Sequence, residues 1–113
     1  MQVIVQSPDV EATELRALAV RRVRFALRRL AWLVPRARIR LSAVSGARGG
    51  VDTRCQVELI SDGRAPVVVT SMARHWHVAL QSAVSRASAS LLRHWDRERE
   101  HRVVPMRTLG VNR

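Results

Sequence analysis

The sequence predicts an α+β domain in the order strand, helix, three strands, helix, with a four-stranded sheet and both helices packed on one face. Three observations predict it. Ala37–Val44 alternates, with Ile39, Leu41 and Ala43 on one side and Arg38, Arg40 and Ser42 on the other, the period of a half-buried strand. The stretch 11–34 carries an apolar stripe at helical spacing. Ser61-Asp62-Gly63-Arg64 separates two runs rich in β-branched residues, the pattern of a hairpin. A chain of 113 residues has room for one core. The expected division is a domain over residues 1–100 and a basic tail over 101–113.

Gln2–Gln6, QVIVQ, is β-branched and reads as the first strand, broken by Ser7-Pro8-Asp9. Asp9 and Thr13 are candidate caps for the first helix, and Glu11 and Glu14 suit the positive end of its dipole. On a wheel of about 100° per residue, Leu15, Ala19, Val23, Ala26, Leu27, Leu30 and Leu33 share the core face. Arg21, Arg22, Arg24, Arg28 and Arg29 fall opposite, interleaved with Leu18, Phe25 and Trp32 at spacings of seven. That stripe suits base stacking, a protein partner, or cover by a neighbouring loop. The helix is expected to end before Pro35.

The alternating strand follows, with Arg38 and Arg40 pointing away from the core. Residues 45–52, SGARGGVD, lack the order of a phosphate-binding loop and read as a β–β connection, with Arg48 at its tip within reach of a phosphate. Thr53–Ile60 and Pro66–Ser71 are the third and fourth strands. From Arg74 to about Arg99 a second helix is expected, with Trp76, Leu80, Ala83, Val84, Ala87 and Leu91 as its core stripe. Arg86, Arg93 and Arg97 align on one flank with His75. His94 is placed either at a nucleic acid or at the end of the core stripe. Residues 102–113 contain Pro105 and Gly110 and show no period.

The net charge is +11, from 20 basic and 9 acidic side chains, and every basic one is arginine. Arginine grips phosphate through two hydrogen bonds and stacks on bases. An excess of this size implies a polyanionic partner, foremost nucleic acid and next an anionic membrane surface. No apolar run approaches the ~18 residues that span a bilayer, so no membrane partner is expected. Residues 15–54 hold 11 arginines against one acid, Asp52. If the helices pack side by side, their outer flanks merge into one basic surface suited to the shape of structured RNA. The candidate RNA-binding set is therefore Arg21, Arg22, Arg24, Arg28, Arg29, Arg38, Arg40, Arg86, Arg93, His94 and Arg97.

Nothing points to an enzyme, a cofactor or a small-molecule substrate. No carboxylate pair has an acid–base partner. His75 and His77, two apart, are expected to point in nearly opposite directions on a helix, a poor metal pair. The single cysteine, Cys55, falls on the inward face of its strand and reads as a buried, inert thiol. One cysteine and no leader-like N-terminus suggest a reducing cytoplasm.

Several strings resemble the ribosome hibernation-promoting factor family, also called ribosome-associated inhibitor A or sigma-54 modulation proteins, in its short form. They are the opening MQVIV with the helix entry VEATELR (10–16), GARGGVDTRCQVEL (46–59), and ALQSAVSRASASLLRH (79–94), where Arg86, Arg93 and His94 occupy basic positions. Arg22 and Arg28 fall where the family's first helix is basic. The resemblance implies a β-α-β-β-β-α domain that binds ribosomal RNA of the small subunit in the messenger and transfer RNA channel and silences translation under stress. Three places differ from the pattern. Gln81 stands for an acid, Ala89 for a basic residue, and His75-Trp76-His77 for an Asp-x-Tyr-like start. They shift the expected contact toward the first helix. Two other readings stay open: a protein-interaction module using Leu18, Phe25 and Trp32, and a general nucleic-acid binder.

Overall fold

Alternation along one strand organises the molecule. The computed structural model describes residues 1–7, 13–45 and 49–111, and of these the backbone alone at 13, 14 and 98–111. Asp9, Glu11 and Arg48 lie outside the described residues. Strand β1 (Gln2–Gln6) leads to helix α1 (Thr13–Ala26), then come β2 (Arg36–Ser45), β3 (Val51–Ile60), β4 (Val67–Ala73) and helix α2 (Trp76–Val111). The sheet order is β1-β2-β3-β4, with β1 parallel to β2 and the other pairs antiparallel. The parallel pair requires a crossover, and α1 supplies it.

In β2, Ala37, Ile39 and Leu41 are buried while Arg36, Arg38 and Arg40 are exposed. The register carries the alternation across the sheet, with Ala37 opposite Leu59, Ile39 opposite Val57, and Leu41 opposite Cys55. One face therefore becomes apolar and receives both helices in a single core. The predicted architecture holds, and the strand bounds agree to within two residues. In α2, Leu80, Ala83, Val84, Ala87 and Leu91 are buried as the spacing predicts, joined by Ala79. Its small residues let the helix backbone lie close to β3 and β4.

The first helix is shorter than its apolar pattern suggests. It ends at Ala26, and a 3-10 turn, Arg28–Leu30, follows. The Leu30 amide donates to the Leu27 carbonyl at 2.8 Å, and the Leu33 amide to the Leu30 carbonyl at 2.9 Å, both three residues back. This tighter winding changes which side chains face inward. Val34 becomes fully buried beside Leu27 and Leu33, whereas Ala26, expected in the core, is exposed. Gln2 then donates to the Pro35 carbonyl at 2.8 Å, so the turn delivers the chain directly into register with β1.

In the β3–β4 connection the Arg64 amide bonds the Ser61 carbonyl at 3.4 Å, and Gly63 takes φ +71°, open to glycine without strain. Helix α2 continues through residues 101–111, where the sequence shows no helical period and where Pro105 has no amide to donate. At about 1.5 Å per residue, its 36 residues account for most of the 64 Å long dimension. No helix among the described residues is long and apolar enough to cross a membrane.

Two outcomes are expected. Leu27→Ala removes a fully buried side chain from the turn between helix and sheet and lowers unfolding free energy by about 2–5 kcal/mol, measured by urea denaturation. Burial pushes the Cys55 thiol up to about 12, which favours the neutral form. At pH 8 a disulfide reagent therefore reacts with the native protein on the order of a hundredfold more slowly than with the urea-unfolded chain.

Candidate nucleic-acid interface

The arginines of α1 and its following turn project outward because the opposite face of the helix is committed to Ala19, Val23 and Leu27. Arg21, Arg22, Arg24, Arg28 and Arg29 are all exposed. Arg24 donates to the Met1 carbonyl at 3.4 Å. Arg28 donates to the Phe25 carbonyl at 2.8 Å and places its guanidinium 4.2 Å from the centre of the Phe25 ring. Arg22 stands 5.9 Å over Trp76. Among the described residues, none of these five has a carboxylate partner.

Between α1 and α2 lies a groove of about 490 Å³. Val23, Leu80 and Val84 form its floor, Leu18 and Phe25 its α1 wall, and Arg21, Arg22 and His77 its rim. The helices are thus parted by a slot that combines an apolar bed with positive edges. The flank of α2 that faces α1 is uncharged, with Gln81 and Ser85 at the groove.

The candidate residues do not form one surface. On α2, Arg86 turns toward the sheet edge, donating to the Thr70 carbonyl at 3.1 Å and to Ser71 Oγ at 3.0 Å. Ser71 Oγ is also 3.2 Å from Ser82 Oγ. Arg86 is therefore partly occupied in tying α2 to β4. Arg93 and Arg97, seven and eleven residues on, follow the same flank at helical spacing and are exposed. His94 is exposed too and does not extend the core stripe. The expected merging of both helices' basic flanks does not occur, because the groove separates them.

Arg38 and Arg40 lie on the opposite side of the molecule, on the sheet face that no helix covers. Arg38 pairs with Glu58 across the strands at 3.6 Å, an exposed pair worth little to stability. The same face carries Arg36 and Arg54, with Val68 and Met72 toward the β4 edge. Arg54 was not among the sequence candidates. The signal for it was present, since it shares an alternation phase with Gln56 and Glu58, opposite to Cys55 and Val57.

The Leu18–Phe25–Trp32 stripe is divided. Leu18 and Phe25 border the groove, and Phe25 remains 68% exposed. Trp32 leaves them and meets Trp95 of α2 edge-on, with ring centres 5.5 Å apart. Arg64 sits 4.6 Å over the same Trp95 ring. Nothing in the local sequence marks that cluster, whose members come from three elements.

His75 and His77 also depart from expectation. Their rings stack at 5.6 Å with 19° between planes. His75 precedes the first helical residue and caps it through its carbonyl, which accepts from Val78 and Ala79, so the helical angle between the two does not apply. Among the described residues no group of three or more His, Cys, Asp or Glu is placed to hold a metal ion.

No protein-family model matches the sequence, and no curated protein matches it. Solved structures do match. A ribosomal subunit interface protein from Coxiella burnetii has a TM-score of 0.67 at 10% identity, covering 85% of this chain and 99% of its own. The N-terminal domain of Thermus thermophilus Protein Y has a TM-score of 0.62 at 20% identity, covering 83% of this chain and 99% of its own. At these identities the likeness establishes the fold: the β-α-β-β-β-α domain implied by the sequence resemblance is the one that this chain shares with these two proteins.

Proposed function

We propose that the protein is a cytoplasmic, non-enzymatic ribosome-associated factor of the hibernation-promoting type, which binds small-subunit ribosomal RNA and silences translation. One observation carries the reading. Five exposed arginines on α1 and its following turn have no carboxylate partner among the described residues, and two of them, Arg21 and Arg22, flank a groove with an apolar floor. Unpaired guanidiniums on a rigid helix suit successive backbone phosphates, since no internal ion pair has to be broken first. The groove beside them suits an unstacked base or an apolar side chain of a ribosomal protein. The named function of the Coxiella protein, a ribosomal subunit interface protein, supports the same assignment.

The roles of the arginines are graded by what else they do. Arg21, Arg22 and Arg29 are offered as the principal phosphate contacts. Arg28 is offered as a stacking partner through its place on Phe25. Arg93 and Arg97 provide a second strip, on the flank of α2 turned away from the groove. Arg86 contributes less, because its guanidinium is shared with Thr70 and Ser71.

Replacing Arg21, Arg22 and Arg29 together by Gln is expected to lower affinity for the small subunit at least tenfold in sedimentation with purified subunits. The dependence of log affinity on log salt then flattens by about 0.7–0.9 per lost phosphate contact. Retained binding in that variant, with loss on Leu18→Ser plus Phe25→Ser, would instead establish a protein partner in the groove. In cell-free translation the wild-type chain is expected to inhibit, and the triple variant to inhibit only at correspondingly higher concentration.

A further inference from the structure

A second concavity lies at the end of β1, apart from the groove and from every contact invoked above. Strand β1 stops at Gln6, paired with Arg40, while β2 continues to Ser45 with β3 as its partner. The gap beside that overhang is a pocket of about 700 Å³, lined among others by Gln6, Ser7, Arg16, Arg40, Arg54 and Gln56. Arg16 reaches it from the start of α1. Arg40 faces Gln56 and Arg54 faces Ser42 in the register. The two arginines are thus diagonal neighbours on the open face, about 7–8 Å apart at their bases and within reach of one ligand.

Three guanidiniums therefore line one pocket, and among the described residues no carboxylate lines it. Among the described residues Arg16, Arg40 and Arg54 have neither an ion-pair nor a hydrogen-bond partner. The acid opposite on this face, Glu58, is engaged by Arg38, and Asp52, two residues along from Arg54, is not part of the lining. A second observation is independent of charge. Ser7 in the pocket wall is 4% exposed, and its hydroxyl has no partner among the described residues. A buried hydroxyl without a partner is costly, and a ligand oxygen at this wall of the pocket would supply one.

We propose that this pocket binds a phosphate group. Arg16, Arg40 and Arg54 supply charge and paired donors, Ser7 adds a neutral donor, and the Gln6 and Gln56 amides complete the ring. The volume falls in the range of pockets that hold small ligands, and all the lining residues but Val5 carry polar side chains. The phosphate belongs either to a free nucleotide or to an RNA backbone crossing the open sheet face.

The test uses the full chain, with inorganic phosphate, adenosine 5′-monophosphate and a ten-nucleotide RNA as probes in calorimetry. Variants are Arg40→Gln plus Arg54→Gln, Ser7→Ala, and Arg36→Gln plus Arg74→Gln as a control of equal charge change. The expected result is binding of phosphate and the mononucleotide that falls tenfold or more in the first variant, several-fold in Ser7→Ala, and little in the control. Absence of small-probe binding, with RNA affinity lost in the first variant and kept in the control, assigns the site to RNA backbone. Equal losses in the first variant and the control, for every probe, overturn the proposal, since they mean diffuse attraction. Ser7→Ala leaves charge unchanged and keeps the test decisive if the arginine pair proves necessary for folding.

Discussion

A guanidinium cannot be stripped of water without a partner to receive its five donors, and this chain has twenty of them in 113 residues. That constraint shapes everything else. All the charge must lie outside one aliphatic core, and the domain is large enough for only one. The solution is a sheet used on a single face, closed by two helices that each bury a stripe of alanine, valine and leucine. The exposed positions that result belong to three separate surfaces: the outer side of α1, the β4-side flank of α2, and the bare face of the sheet.

The separation matters for function. A single continuous basic patch would attract any polyanion equally. Here the α1 surface adjoins an apolar groove, the α2 flank is tied at Arg86 to the sheet edge, and the sheet face mixes arginine with Glu58, glutamines, Val68 and Met72. Each has its own chemistry, and α1 is the surface that sets five exposed arginines, with no carboxylate partner among the described residues, on one helix and its following turn. Placement of the strongest surface on the crossover helix has a mechanical basis. Leu27, Leu33 and Val34 anchor its exit, and Gln2 to Pro35 locks that exit to the first strand.

Strand positions were readable because alternation is local: Ala37, Ile39 and Leu41 announce their face without reference to anything else. The core stripe of α2 was readable for the same reason. The end of α1 was not, since the apolar spacing continues smoothly past Ala26 while the backbone tightens at Leu27, a choice set by the need to bring Pro35 beside Gln2. The division of the Leu18–Phe25–Trp32 stripe depends on Trp95, sixty-three residues from Trp32. The juxtaposition of Arg40 with Arg54 depends on the β2–β3 register. Each of these needs a partner distant in sequence, and helical or strand periods carry no information about such partners. Arg86 was placed on the correct flank, but its bonds to Thr70 and Ser71 rest on the same long-range packing.

The arginines of β2 have one more effect, on assembly of the sheet itself. A strand whose outward residues were threonine or valine could slide by one position against β3 at modest cost. In β2 such a slide would turn Arg36, Arg38 and Arg40 into the helices and expose Ala37, Ile39 and Leu41. A misregistered sheet could therefore receive the helices only by burying guanidiniums. The outward arginines of the central strand thus also fix which way that strand can be laid against its neighbour.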